Sequence, residues 1–154
     1  MTTSTPSTVT APILVVEDSD EDFDTLHEVA AARGLTRPIH RVTSGGECLA
    51  LLRGEGDVQF ALLPTLILMD LNSHGVDGRE ALVAIKTDAI LKEIPVVVLT
   101  TSGNPKDVAF CYQAGANAYH VKPVCHDQYS SLLRSLMHYW FESVTLHSRP
   151  VKVD

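Results

Sequence analysis

Five strand-like runs alternating with helical patterns predict an α/β protein, a doubly wound parallel sheet with helices on both faces. Three observations lead there. The runs are short and recur along the whole 154-residue chain, three of them are apolar without interruption, and capping residues or glycines punctuate the stretches between them. Unbroken Val, Ile and Leu suit a strand covered on both sides, whereas a half-solvated strand alternates.

In chain order, "MTTSTPSTVTA" (1–11) comes first, polar and rich in Ser and Thr. It lacks the basic and apolar segments of a secretion signal and reads as a disordered tail. The strands are "ILVVE" (13–17), "IHRVT" (39–43), "TLILMD" (65–70), "VVVLT" (96–100) and "AYHV" (118–121). The first, third and fourth belong inside the sheet; the mixed second and fifth suit its edges. Ser44 with Glu47, and Asp77 with Glu80, have capping-box spacing. Asn104 before Pro105 places a cap ahead of a first-turn proline, and Gly34 and Gly115 close the first and fourth helices. Residues 54–64, "GEGDVQFALLP", read as a long connection. In the last helix Tyr129, Leu132, Leu133, Leu136, Met137 and Trp140 form one apolar stripe that packs on the sheet. The domain is expected over 12–142, with 143–154 as a C-terminal extension.

Composition narrows the function classes. The chain is 45% hydrophobic and 20% charged with a net charge of −7, enough for one real core and too acidic to hold nucleic acid by its phosphates. Cys48, Cys111 and Cys125 are widely spaced and form no CxxC pair, which supports neither a disulfide framework nor a zinc site. No apolar run approaches the ~18 residues of a membrane span. A cytoplasmic setting is the expectation.

Open α/β sheets bind ligands beyond the carboxyl ends of their strands. Glu17 and Asp18 end the first strand, Asp70 the third, Thr100 the fourth and Lys122 the fifth. Singly, each is ordinary: an acidic pair favours a helix start, and a strand-final Asp or Thr caps many turns. Jointly they put three carboxylates, a hydroxyl and an ammonium on one rim. Crowded carboxylates repel unless a cation is supplied. Hard oxygen donors suit Mg²⁺, and lysine offers a point charge for a phosphoryl oxygen. A carboxylate aimed into such a site can act as a nucleophile toward phosphorus.

"ILVVEDSDED", "LILMDLN…DG", "IPVVVLTTS" and "AGANAYHVKP" resemble the receiver domain of two-component response regulators from about Ile13 to Trp140. The resemblance implies a flavodoxin-like five-stranded sheet in the order 2-1-3-4-5 with Asp70 as phosphoacceptor. Mg²⁺ would be held by Glu17, Asp18, Asp70 and the backbone carbonyl of Asn72. Thr100 would be the switch hydroxyl, Tyr119 the coupled aromatic and Lys122 the phosphate partner. The bond before Pro123 is cis in many relatives. Asn72, His74 and Ser102 are candidate modulators of phosphate lifetime, because Ser73 and His74 stand where the family has an apolar residue and proline. A narrower resemblance, in "DGREALVAIK", "LKEIPVVVLTTS" and "FESVTL", is to stand-alone receivers that partner phytochrome-type histidine kinases.

The expected function is therefore a single-domain response regulator phosphorylated by a histidine kinase, and not an enzyme, with a relay intermediate or phosphate sink as the alternative. An aspartyl-nucleophile phosphohydrolase is disfavoured: its general acid would stand at position 72, and Asn72 cannot protonate a leaving group. No glycine-rich phosphate loop follows the first strand. Beyond the helical stripe Phe141, Val144 and Leu146 continue an apolar arm from Trp140, predicting a homodimer in which this arm reaches across.

Overall fold

In the computed structural model, which describes residues 10–71 and 77–151, the five strands form one parallel sheet in the order β2-β1-β3-β4-β5. The elements are β1 (Ile13–Val16), α1 (Asp20–Ala32), β2 (Ile39–Val42), α2 (Gly45–Leu52) and β3 (Leu66–Asp70), followed by α3 (Asp77–Thr87), β4 (Val96–Thr100), α4 (Pro105–Ala114), β5 (Ala118–Val121) and α5 (His126–Met137). The two mixed strands are the edges, as their composition requires, and the long connection before β3 is irregular apart from one bridge at Leu62.

Strand alternation splits the core into two layers. Leu14, Val16, Ile67, Met69, Val96 and Val98 face α2 and α3, where Leu52, Leu82 and Ile85 meet them. Ile13, Val15, Leu66, Leu68, Val97 and Leu99 face α1 and α5 on the other side, against Leu26, Val29, Leu133 and Met137. Both faces of the central strands are thus buried, and every residue of β1, β3 and β4 is inaccessible. Helix α4 is the exception among the helices, with Cys111 its one buried residue.

The caps explain where the helices begin. The Ser44 hydroxyl accepts from Glu47 N–H at 3.1 Å, and the Glu47 carboxylate accepts from Thr43 N–H, one residue earlier than a capping box requires. Asn104 accepts from Lys106 N–H with Pro105 beside it, and Gly115 closes α4 at φ 108°. Asp77 departs from expectation. Its Oδ2 accepts from Gly45 N–H at 2.5 Å and Gly46 N–H at 3.3 Å, at the head of α2. A carboxylate against the positive end of a neighbouring helix is favourable in the same way as one against its own. The approach is possible because Gly45 lacks a side chain: a Cβ there would lie 2.4 Å from the Asp77 carbonyl oxygen.

The C-terminal segment packs back on its own domain. After α5 the chain continues as a π-helical turn, His138–Ser143, closed by Val144 N–H bonding to the Tyr139 carbonyl five residues back. Trp140, Phe141 and Leu146 pack against the α1/α5 layer of their own domain. The chain then crosses beneath the sheet, where Leu63 N–H donates to the Arg149 carbonyl and Val151 N–H to the Ala61 carbonyl, at 2.8 and 3.2 Å. Leu146, Arg149 and Val151 thus tie this segment back onto the domain, the first through its side chain and the other two through backbone hydrogen bonds. Among the described residues no helix is long and apolar enough to cross a membrane.

Candidate functional site

The parallel sheet brings Glu17, Asp18, Asp70, Thr100 and Lys122 to its carboxyl rim. Asp70 and Thr100 are the last residues of β3 and β4, while Glu17 and Lys122 stand one position beyond β1 and β5. Glu17, Asp70, Thr100 and Lys122 are buried; Asp18 is exposed at the mouth. One carboxylate oxygen each from Glu17, Asp18 and Asp70 can be chosen so that all three lie within 4.8 Å of one another. That donor set, three hard oxygens at a rim open to water on one side, fits a hard divalent cation, which prefers carboxylates and retained waters.

Lys122 organises the site. Its Nζ donates to Glu17 Oε1 at 2.5 Å, Asp22 Oδ2 at 2.9 Å and Asp70 Oδ2 at 3.0 Å. Those three bonds use all three of its N–H groups. The Tyr129 ring lies to one side, with its centroid 5.6 Å from Nζ. Burial works to lower the lysine's pKa, but the hydrogen bond and charge of Glu17 and the hydrogen bond of Asp22 outweigh it, so the ammonium is held charged. Glu17 responds oppositely. Burial, and then the neighbouring Asp70 carboxyl, push it up to about 8 against the pull of Lys122. Four carboxylates gather around one ammonium, and that imbalance is what a bound cation would relieve.

The β4 end carries a second network. Ser102 N–H donates to the Thr100 hydroxyl at 3.2 Å, and the Tyr119 hydroxyl donates to the Ser102 carbonyl at 2.6 Å. Thr100 and Tyr119 are therefore linked through one residue of the β4–α4 loop. The Ser102 hydroxyl donates to Asp107 Oδ2 at 2.6 Å; Asp107 also pairs with Arg79 of α3.

Most of the predicted site residues converge here. Asn72 and His74 lie outside the described residues. The Lys122–Pro123 bond is trans, correcting the expected cis isomer. Trans is the lower-energy form of an X–Pro bond by about 0.5–1 kcal/mol, and three carboxylates aim the lysine without help from the proline. Two contributors escaped the sequence reading. Asp22 lies four residues after Asp18, one turn into α1 and so on the same side, a spacing that could have flagged it. Tyr129 was visible only as a core residue of the α5 stripe.

The pattern of the response regulator receiver domain family matches residues 13–134 of the chain. This protein is a receiver domain. Over 134 residues it is 37% identical to response regulator Rcp1 of Synechocystis, covering 87% of this chain and 91% of that one. The receiver superposes on the Mn(2+)-bound form of Rcp1 with a TM-score of 0.83 at 36% identity, covering 89% of this chain and 99% of that one. It matches the phosphorylated cyanobacterial phytochrome response regulator RcpA equally well, with a TM-score of 0.83 at 37% identity over 89% and 98% of the two chains. The bacteriophytochrome response regulator RtBRR matches with a TM-score of 0.69 at 34% identity, covering 92% and 84%. The receiver fold accounts for why these residues come from separated strands: the ends of β1, β3, β4 and β5 contribute them to a shared rim.

Proposed function

We propose that this receiver accepts a phosphoryl group on Asp70 from a phytochrome-type histidine kinase and acts as a stand-alone, cytoplasmic response regulator. The observation that carries this reading is the buried Lys122 ammonium held 3.0 Å from Asp70 beside a carboxylate trio with the donor chemistry of a Mg²⁺ site. The similarity to RcpA and RtBRR supports the phytochrome link.

In transfer, an Asp70 oxygen forms the bond to phosphorus as the phosphorus–nitrogen bond of the donor phosphohistidine breaks and its electron pair leaves with the imidazole. Glu17, Asp18 and Asp70 would hold a divalent cation, which would supply positive charge against the oxygens of the transferred group. Lys122 gives an N–H to one phosphoryl oxygen in place of one of its present carboxylate partners. Thr100 turns its hydroxyl to another and releases Ser102 N–H, which loosens the loop that Tyr119 holds by the Ser102 carbonyl. Helix α4, with Cys111 its one buried residue, is the element this loop can shift. Two copies pair through the C-terminal arm, using the side left open once Trp140, Phe141 and Leu146 are covered by their own domain.

The test is phosphotransfer from an ATP-labelled phytochrome-type histidine kinase. Native protein should take the label within minutes, Asp70→Asn none, and Thr100→Ala should take it while losing the spectroscopic change that accompanies phosphorylation. Label on Asp70→Asn would refute the assignment of the acceptor.

A further inference from the structure

Of the three carboxylates bound to Lys122, two also belong to the cation-binding trio, Glu17 and Asp70. The third does not. Asp22 sits in the first turn of α1, its N–H capped by the Ser19 hydroxyl at 3.2 Å, and its side chain is 35% exposed while those of Glu17 and Asp70 are 4% and 3% exposed. It reaches the ammonium from the solvent side at 2.9 Å.

That geometry has a chemical consequence. All three lysine N–H groups are in use, so a phosphoryl oxygen arriving at Asp70 must take one from a carboxylate. Glu17 and Asp70 gain a substitute when a cation binds, because their oxygens have another positive partner. Asp22 gains none, and remains both a competitor for the ammonium and a negative charge beside an anionic donor.

We propose that Asp22 is a positioning residue that acts through Lys122, holding the ammonium back from the incoming phosphoryl group and thereby limiting how readily Asp70 is phosphorylated. This rests on Asp70 being the acceptor. Lys122 keeps its bonds to Glu17 and Asp70 when Asp22 is neutralised, so the lysine stays in place and has one N–H to give. The same charge that slows an anionic donor helps to draw in Mg²⁺, and neutralising it moves the two properties in opposite directions. Loosening of the β1–α1 turn, which is all a structural role would produce, would weaken both.

The experiment compares native protein, Asp22→Asn, Asp22→Glu and Glu21→Gln. Glu21→Gln removes the same charge from the same helix turn at an exposed position. Two readouts are taken: Mg²⁺ affinity by calorimetry, and the rate of labelling by acetyl phosphate at saturating Mg²⁺. In that reaction the Asp70 oxygen forms its bond to phosphorus while the phosphorus–oxygen bond to acetate breaks and acetate leaves with the electron pair. Asp22→Asn should label about three- to tenfold faster and bind Mg²⁺ about two- to fivefold more weakly, the scale expected for one charge removed at close range. Asp22→Glu should stay close to native in both, as should Glu21→Gln. If native protein is labelled on Asp70 and Asp22→Asn labels no faster, or loses rate and affinity together, the inference is overturned while the acceptor assignment stands. If native protein is not labelled at all, the acceptor assignment fails and takes the inference with it. A thermal scan of each variant confirms that the compared proteins are folded.

Discussion

The two rims of the sheet are built in opposite ways. At the carboxyl rim, Glu17, Asp70 and Lys122 are ionisable groups taken out of water and held by one another. At the amino rim, the chain's own C-terminal segment lays Arg149 and Val151 along residues 61–63 with two backbone hydrogen bonds, and Arg149 pairs with Glu93 at the surface. The second rim is closed by satisfied backbone groups and apolar side chains. The first is left electrostatically unbalanced, with more carboxylates than cations. On the proposed function that imbalance is what a cation and a phosphoryl group would meet, and the fold keeps its stability elsewhere.

If this contrast is right, damage to the two rims has different signatures. The largest effect belongs to Lys122→Ala. Removing one partner of a buried ion pair strands the other, typically at about 3–5 kcal/mol, and here phosphorylation should also fall by about 100-fold or more as the phosphoryl group loses its cation. Urea denaturation and acetyl phosphate labelling read the two losses; a stable, reactive variant would break the comparison. Truncation after Val144 comes next. It removes the amino-rim bonds and Leu146, and should lower stability by about 1–3 kcal/mol while leaving the labelling rate unchanged. Light scattering on the same protein should read a monomer where the native chain reads a dimer. A truncated chain that is as stable as the native one would show that the arm closes nothing.

The smallest effect is one of pH. A group whose pKa is raised on folding stabilises the fold fully below its unfolded value, and that contribution is lost as pH rises through its folded value. For Glu17 the unfolded value is 4.5 and the folded one about 8. The thermal midpoint of metal-free protein should therefore fall between about pH 5 and 8, more steeply than in Glu17→Gln. Parallel curves for the two proteins would mean that Glu17 is ionised throughout and that the rim is better balanced than its geometry implies.

How much of this was legible beforehand follows from how local each signal is. The central and edge strands could be read because burial on both faces demands unbroken apolar runs, and β1, β3 and β4 have them; the order 2-1-3-4-5 followed only from the family resemblance. The gathering of Glu17, Asp18, Asp70, Thr100 and Lys122 at one rim could be read because strand ends in a parallel sheet share one side. Asp77 was misread because capping-box spacing describes a helix and its own residues, whereas this carboxylate serves the helix next to it. The packing of the arm was not legible for a similar reason: Trp140, Phe141 and Leu146 announce that they need covering, but not by which surface. Asp22 was passed over because an acidic first turn is ordinary, and its partner lies 100 residues away.

The claim beneath all of this is that the ammonium and a divalent cation let the carboxylate of Asp70 capture phosphorus. Intact mass after incubation with acetyl phosphate and Mg²⁺ tests it most directly. The native chain should gain ~80 Da, the mass of one added phosphoryl group, and Asp70→Asn should gain nothing. An unmodified native chain, or a modified Asp70→Asn, would contradict it.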